Sequence, residues 1–410
     1  MREMKDSGVE WIGEIPKDWH ITQTRRLFRN EKNIVGDAAD EYERLALTLK
    51  GVIKRSKNDS EGLQPEKFEG YQMLRQNELV FKMIDLENVN TSRVGLSPYT
   101  GLVSPAYIVL KNDSDDNRYE YYWFMSMYYN EVFNHLGGDG VRSALNVKDM
   151  LSLPIPNISN IQKKTLADYL DAKCSKIDEI IEKQQAIIEK LKEYKLSYIN
   201  EITNVNDGIK CHLGFIGQMK NGFNFTDTSE GHKIKFLGVG DFKDNFFIDK
   251  EERFSTIISE ENVAEDYMLH SGDIVFVRSN GSKELVGRAV MVNGIEYPVT
   301  YSGFCIRYRN IRPDIIDSKF LLYYFRSLDF RKQLEKYSQG SNISNLNQDL
   351  LSSLQFTIPS KDYQKRMLDE MEIKCKEIDN AVVKFEGMND KLQEYKKSLI
   401  YEVVTGKKEV

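Results

Sequence analysis

Residues 174–203 read CSKIDEIIEKQQAIIEKLKEYKLSYINEIT, and residues 375–404 repeat this stretch as CKEIDNAVVKFEGMNDKLQEYKKSLIYEVV. The two copies align without a gap at a constant offset of 201 positions. Matching residues include Cys174 and Cys375, Asp178 and Asp379, Tyr194 and Tyr395, and Glu201 and Glu402. The offset is about half of the 410-residue chain, so the sequence indicates a tandem duplication.

Both copies have the pattern of long helices. Their apolar residues recur at alternating steps of three and four, as in helices that pack on one another. The predicted helix-pair seam consists of Ile177, Ile180, Ile187, Leu191, Tyr194, Tyr198, Ile378, Phe385, Met388, Leu392, Tyr395 and Leu399. Each helix extends over about 40 residues, or roughly 60 Å. The alternative is a surface helix lying on its own domain, but a helix of this length would overhang one.

The bulk composition is that of an ordinary globular protein. The 410 residues are 40% hydrophobic and 29% charged, with a net charge of −6, which permits two or three domains. No apolar run is long enough to span a membrane, and the N-terminus lacks an apolar signal core, so we expect a cytoplasmic protein. The four cysteines lie far apart without a C-x-x-C pair. They are therefore expected to be reduced thiols rather than disulfide or zinc ligands.

The globular regions before each helix share an order of elements. We predict strands at 42–49, 78–83, 107–110, 235–239, 273–277 and 301–308, aromatic core helices at 119–136 and 320–337, and extended exits at 151–160 and 354–364. The domain boundaries so predicted are 1–156, 157–205, 206–359 and 360–410. The helices are alike whereas the globular regions differ almost everywhere. This contrast favours two readers of different targets on one shared frame.

The motifs of several enzyme classes are absent. There is no Pro-Pro pair of a DNA amino-methyltransferase and no Gly-Lys-Ser/Thr phosphate loop. Pro313-Asp314 followed by Asp317 and Lys319 mimics a metal-nuclease signature, but helix-start chemistry explains it better. The histidines are scattered, and adjacent Cys211 and His212 do not suit a zinc site. We therefore predict a non-catalytic chain that binds no metal.

Two polar loops are candidates for DNA contact, since Arg, Asn and Lys in loops can read base edges or hold phosphates. One follows the strand at 42–49 and the other follows the strand at 273–277. The candidate residues are Lys50, Lys54, Arg55, Lys57 and Arg93 in the first region and Arg278, Asn280, Ser282, Lys283 and Arg288 in the second. The alternative for each loop is a solvated turn.

Several motifs make the chain similar to the specificity subunits of type I restriction-modification systems. The motifs are ISNIQKKTLADYLD (158–171), KLKEYKLSYINE (190–201), KLQEYKKSLIYEVVTGK (391–407), ELVFK (78–82), GDIVF (272–276) and EWIGEIPKDW (10–19). The resemblance covers nearly the whole chain and is strongest over the helices. It implies two target-recognition domains, each reading one half of a bipartite site in double-stranded DNA. It also implies helical regions that space these domains and dock two methyltransferase subunits, in a complex with restriction subunits.

The resemblance implies that S-adenosylmethionine, ATP and Mg²⁺ act in partner subunits and that this chain binds no cofactor. The expected fold is α/β in the broad sense, with two mixed globular domains joined by two long antiparallel helices as a pseudo-twofold duplication. Antiparallel pairing follows from chain order, because the second helix must run back to meet the first. The alternative function is a coiled-coil scaffold that binds no DNA.

Overall fold

A computed structural model describes residues 2–58, 67–83, 93–136, 144–224, 231–243, 245–259, 263–282, 284–337 and 345–410. The chain divides into two compact units, one made of Met1–Gln184 with Gly387–Val410 and the other of Gln185–Glu386. Each long helix contributes to both units. The predicted domain boundaries separate the long helices from the globular regions. The division into two units does not test them, so they remain a prediction.

Within the residues that the structure describes, the first unit contains four small sheets and three α-helices before the first long helix. Its elements are β1 Met4–Asp6, β2 Glu14–Pro16, β3 His20–Gln23, β4 Arg44–Thr48, β5 Gly51–Arg55, β6 Gln72–Leu74, β7 Leu79–Phe81, β8 Val94–Leu96, β9 Gly101–Val103, β10 Ile108–Leu110, α1 Arg118–Tyr129, α2 Val132–Leu136, α3 Val147–Ser152, β11 Pro154–Asn157 and α4 Asn160–Thr203. The strand orders are β5-β4-β9-β6, β10-β7-β8, β1-β2 and β11-β3.

The main core of the first unit forms around α1. This helix is buried on most of its surface, and Trp123 and Phe124 are among its fully buried side chains. The same core takes in Cys174 of α4 and Leu399 of the second long helix. The predicted helix at 119–136 is broken after α1, because Glu131 adopts a left-handed conformation with φ 56°.

In the described part of the second unit there are one five-stranded sheet, one three-stranded sheet and one strand pair. Its elements are β12 Ile209–His212, α5 Leu213–Ile216, β13 Gly217–Asn221, β14 His232–Leu237, α6 Val239–Phe242, β15 Phe247–Ile248, β16 Ser255–Ser259, β17 Ile274–Val277, β18 Ala289–Val292, β19 Val299–Tyr301, β20 Cys305–Asn310, α7 Ser318–Phe325, α8 Leu328–Tyr337, α9 Gln348–Ser353, β21 Gln355–Ile358 and α10 Lys361–Val404. The strand orders are β13-β20-β17-β18-β15, β16-β14-β19 and β12-β21.

Three predicted elements of the second unit differ from the structure. The predicted strand at 301–308 is two strands, β19 and β20, which a turn at 302–304 separates. The predicted strand at 235–239 ends at Leu237, because α6 begins at Val239. The predicted helix at 320–337 is split between α7 and α8, where the N–H of Arg326 is shared between two carbonyls of the preceding turn.

The duplication is present in the backbone as well as in the sequence. The helices α4 and α10 both have 44 residues, and their first and last residues are each 201 positions apart. The short helices α3 and α9 obey the same offset, each with an asparagine cap whose side chain accepts a backbone N–H. The exit strands β11 and β21 also match, since β11 pairs antiparallel with β3 and β21 pairs antiparallel with β12.

Two matched ion pairs set the register of the long helices. In the first unit Lys396 lies 2.7 Å from Asp178, and in the second unit Lys195 lies 2.7 Å from Asp379. Within each unit the two helices therefore run antiparallel, as the chain order predicts. No helix among the described residues has an apolar stretch of the length that a bilayer requires.

On each helix the buried residues coincide with the predicted seam at some positions and lie one residue later at the positions between them. Buried or half-buried residues on α4 and α10 recur at steps of four and three, at Cys174, Ile177, Ile181, Gln184, Ile188, Leu191, Lys195, Tyr198, Ile202, Cys375, Ile378, Val382, Phe385, Asn389, Leu392, Lys396, Leu399 and Val403. By contrast Tyr194 is 49% and Tyr395 53% exposed, and Ile180, Ile187 and Met388 are also exposed. Where two apolar residues are adjacent, as Ile180 and Ile181 are, the sequence fits a seam through either residue. In the structure the second residue of the pair is the more buried one.

Candidate nucleic-acid interface

Three loops of the second unit meet at one end of its largest sheet. They are residues 222–224 after β13, residues 278–282 after β17 and the turn 302–304, and together we name them the three-loop cluster. The N–H of Arg278 donates to the carbonyl of Phe304 at 2.8 Å, and the N–H of Gly303 donates to the carbonyl of Phe223 at 2.8 Å. These backbone hydrogen bonds hold the three loops together.

Glycine is required where the loops touch. A Cβ added to Gly222 would lie 2.1 Å from the carbonyl oxygen of Ser302. A Cβ added to Gly303 would lie 2.0 Å from Oδ1 of Asn224. Both distances are far below van der Waals contact, so a side chain at either glycine would push the loops apart.

The three-loop cluster carries side chains suited to DNA. The guanidinium of Arg278 donates from Nη1 to the carbonyl of Gly303 at 3.3 Å, which holds one edge of the group while other N–H donors remain. Oδ1 of Asn280 accepts the N–H of Ser282 at 2.8 Å, an Asx turn that shapes the loop. Arginine and asparagine can form bidentate contacts with guanine and adenine edges. Lys283 lies outside the described residues.

Phe304 was missed by sequence reasoning. It is 59% exposed at the tip of the turn between β19 and β20, beside the backbone of Arg278 and Ser279. A large aromatic side chain exposed there can contact a thymine methyl group or wedge against a base step. The available signal was its place after Ser302-Gly303, a turn pair inside a run that reads as one strand.

Arg288 contacts a loop outside the cluster. Its Nη1 donates to the carbonyl of Lys243 at 2.6 Å, which joins the start of β18 to the loop after α6. Through this hydrogen bond Arg288 helps to stabilise the second unit. Its use in DNA recognition remains a prediction.

The hairpin of β4 and β5 presents the candidates of the first unit. Leu49 and Lys50 are exposed at its turn, and Lys50 has no ion-pair partner among the residues that the structure describes. Lys54 lies 2.6 Å from the carboxylate of Glu43 and 5.1 Å from the centroid of the Tyr99 ring. The hydrogen bond to Glu43 raises the pKa of Lys54. Because this pair is exposed, Lys54 can leave Glu43 and bind a DNA phosphate instead at little cost in free energy.

Two further candidates lie at the base of this hairpin. Lys57 donates to the carbonyl of Ala39 at 2.8 Å and is 3.6 Å from Asp40, so part of its charge is already matched. Arg55 is half-buried at the last position of β5. The hairpin thus places Lys50 and Lys54 outward, whereas Lys57 and Arg55 are engaged closer to the sheet.

Arg93 occupies a different environment from the other candidates. It is only 2% exposed, and its Nη1 donates to Oδ1 of Asn134 at 2.9 Å. Its guanidinium also lies over the ring of Tyr128. In this structure Arg93 therefore has no surface to offer a nucleic acid, a fact that its position next to a strand could not reveal.

The described part of the chain gives no sign of a metal centre. No group of three or more His, Cys, Asp or Glu residues among the described residues could hold an ion. His212 uses Nδ1 in a 2.8 Å contact with the carbonyl of Ser353, and its neighbour Cys211 is half-buried. Burial raises the pKa of the Cys211 thiol, so this pair has a structural environment.

Comparison with known proteins points to one family. Residues 211–381 match the model of the family described as "Type I restriction modification DNA specificity domain". The chain is 26% identical over 270 residues to the type I restriction enzyme StySPI specificity subunit of Salmonella potsdam, in a match that covers 60% of this chain and 56% of that protein. It is 25% identical over 146 residues to the EcoKI specificity subunit of Escherichia coli K12, which covers 35% of this chain and 31% of that protein.

The matched regions thus span about a third to a half of the length of these curated relatives. A solved structure extends the likeness in fold to almost the whole chain. It is described as the structural basis underlying complex assembly and conformational transition of the type I R-M system. One of its chains matches with a TM-score of 0.70 at 12% identity, over 95% of this chain and 98% of that chain. At this identity the likeness concerns the fold alone.

Proposed function

We propose that this chain belongs to the family of type I restriction-modification specificity subunits and recognises DNA sequence on behalf of a larger restriction-modification complex. Each unit would read its own half of a bipartite site in double-stranded DNA. The chain would carry no catalytic group, and we place it in the cytoplasm with its DNA. The DNA specificity family model over 211–381 supports recognition in the second unit.

The bipartite proposal rests on a contrast within the chain. The long helices repeat in length and position, whereas the sheets of the two units differ. The helices α4 and α10 match in length and offset, and their ion pairs match in geometry. The sheets differ, since among the described residues the second unit has a five-stranded sheet and the largest sheet of the first unit has four strands. A repeated frame with two dissimilar surfaces suits a protein that reads two different short sequences at a fixed spacing.

Loop placement supports a contact surface for DNA in each unit. In the second unit the three-loop cluster presents Arg278, Asn280 and Phe304, and in the first unit the β4–β5 hairpin presents Lys50 and Lys54. Side chains of these types combine base reading with phosphate contacts. The net charge of −6 favours local contacts of this kind over binding through bulk charge.

We further propose that the long helices dock two methyltransferase subunits in related ways. In the second unit Ile187 and Tyr194 of α4 are exposed, and in the first unit their repeat mates Met388 and Tyr395 of α10 are exposed. Residues seven positions apart lie on one face of a helix. Two matched apolar faces suit two copies of one partner, and restriction subunits would complete the complex.

The same proposal assigns the chemistry to the partners. S-adenosylmethionine, ATP and Mg²⁺ would bind to the methyltransferase and restriction subunits and not to this chain. The isolated chain should therefore show no methyltransferase, ATPase or nuclease activity. Turnover of S-adenosylmethionine by the rigorously purified chain would contradict this assignment.

A domain exchange tests the bipartite reading directly. Residues 206–359 are replaced by the corresponding region of a relative with a known site, and methylated positions in the genome are mapped with the partner subunits present. We expect one half-site to change and the other to persist. If both halves change together, or neither does, the assignment of one half-site to one unit is wrong. If the reconstituted complex shows no sequence preference at all, the scaffold alternative gains support.

A further inference from the structure

Residues of α4 and α10 that lie level with each other across the seam form layers. One layer is polar, and the layer at the equivalent position of the repeat is apolar. Gln184 of α4 and Asn389 of α10 are 9% and 8% exposed, although both are polar. Their repeat mates, 201 positions away, are Phe385 and Ile188. Elsewhere the buried seam positions keep their residue types or remain apolar, so this is the place where the two copies differ in polarity.

The ion pairs assign these residues to layers. With Lys396 at Asp178, the antiparallel register brings Gln184 level with Asn389, and both belong to the first unit. With Lys195 at Asp379, the same register brings Ile188 level with Phe385, and both belong to the second unit. One layer is therefore polar on both helices, and its repeat mate is apolar on both helices.

Pairing of like helices would break this match. If α4 met α4 of a second copy, the lysine–aspartate pairs would persist, because Lys195 would meet Asp178. The two central layers, however, would each set Gln184 against Ile188. If α10 met α10, each central layer would set Phe385 against Asn389. In both cases two amides would face apolar side chains, whereas pairing of α4 with α10 puts both amides in one layer.

The physical cost falls on the buried amides. Oε1 of Gln184 and Oδ1 of Asn389 lack a hydrogen-bond donor among the described residues. An amide that faces another amide can turn its NH₂ group toward the free oxygen, but an isoleucine or phenylalanine offers no donor. Burial of an amide without a partner is unfavourable, and a single buried polar residue is known to select the partner and register of paired helices.

From these observations we propose that the Gln184–Asn389 layer is a pairing code, which makes α4 select α10 and reject α4 or α10 of a second copy. This code goes beyond DNA recognition and does not depend on it. A duplicated protein needs such a device, because its two helices remain similar enough in every other layer to pair with themselves. Divergence at one pair of repeat positions is sufficient to remove that ambiguity.

Exchanging the central residues tests the code within the full chain. The double variant Gln184→Phe/Ile188→Asn gives the α4–α10 pair of one chain the two central layers of an α10–α10 pair, with phenylalanine against asparagine in each. The variant Phe385→Gln with Asn389→Ile reproduces the layers of an α4–α4 pair. We expect each of these half exchanges to lower the thermal unfolding midpoint by about 5–10 °C. The four substitutions combined restore matched layers and should return the midpoint to within about 2 °C of the parent chain.

The control introduces the same residue types beside the seam. Gln185→Phe with Glu189→Asn changes exposed positions of α4, and it should shift the midpoint less than either half exchange. If a half exchange does not fold, a folded and stable fourfold variant still supports the code. The code is overturned if the half exchanges match the control, or if the fourfold variant is no more stable than the half exchanges.

Discussion

Lys396 donates to both carboxylate oxygens of Asp178, at 2.7 Å each, and Lys195 forms the same pair with Asp379 at the same distances. Each lysine stands at a seam position and each aspartate beside the seam. The stem of the lysine is thus packed between the helices while its charge reaches the edge. The two contacts are repeat mates, so they should behave alike.

We expect Asp178→Asn and Asp379→Asn each to lower the free energy of unfolding by about 0.2–1 kcal/mol, the range for a partly exposed pair. Chemical denaturation in low and high salt measures the change, which should shrink as salt screens the pair. Glu182→Gln removes an exposed acid of the same helix and should have a smaller effect. Unequal losses from the two aspartates would show that the ion pairs are not equivalent.

The three-loop cluster gives a prediction about DNA specificity. If Arg278 contacts a base edge, Arg278→Ala should weaken binding by about 1–3 kcal/mol and relax one position of one half-site. The measurement is affinity of the reconstituted complex for a set of duplexes with single substitutions across the site. Arg366→Ala changes an exposed arginine of α10 and serves as the control. Equal losses for every duplex would instead indicate a phosphate contact.

The exposed faces of the helices give a prediction about stoichiometry. Native mass spectrometry with saturating methyltransferase should show two copies of that partner per chain. Tyr194→Ala and Tyr395→Ala change matched exposed residues, and each should reduce occupancy of one docking face while leaving the other. A complex that never exceeds one partner per chain would count against duplicated docking.

A carboxylate cluster around Arg118 predicts acid sensitivity of the first unit. Arg118 bonds to Asp116 and Asp171 at 2.6 Å each and to Asp168 at 2.8 Å. The Arg118 guanidinium lowers the pKa of Asp116, and Lys164 and Arg118 together lower the pKa of Asp168. A lowered pKa in the folded state stabilises the protein above the ordinary aspartate value, about 3.9. This stabilisation is lost as the pH falls through the lower folded value.

We therefore expect Arg118→Met to destabilise the chain most near neutral pH and progressively less below about pH 4. Thermal unfolding midpoints between pH 7 and pH 3 measure the difference from the parent chain. Arg312→Met breaks an exposed pair with Asp314 and should give a smaller difference at every pH. A difference for Arg118→Met that does not depend on pH would assign the effect to packing instead of to charge.

The cysteines give a prediction about reactivity. Burial raises the pKa of Cys174 to about 11 and that of Cys305 to about 12. Since the thiolate is the reactive form, both should resist alkylation at pH 8 in the folded chain. Half-buried Cys211 should react first, as mass spectrometry of peptides after timed labelling would show. In denaturant all four should react at similar rates, and rapid labelling of folded Cys305 would contradict its buried environment.

The repeat, the long helices and their antiparallel pairing within each unit could be predicted from the sequence, because these features depend on periodicity and on long unbroken motifs. The phase of the seam could not be obtained in this way. Ile180 and Ile181, or Ile187 and Ile188, satisfy a heptad equally well, and only contact with the opposing helix decides between them.

That the chain is a duplication built on two matched helices is evident from the order of its residues, because the offset of 201 positions is constant along the repeat. Which candidate residues share a surface follows from the folded structure. It buried Arg93, bound Arg288 to a distant carbonyl and brought Arg278 beside exposed Phe304. These outcomes depend on contacts between residues far apart in the chain, which local patterns in the sequence do not encode.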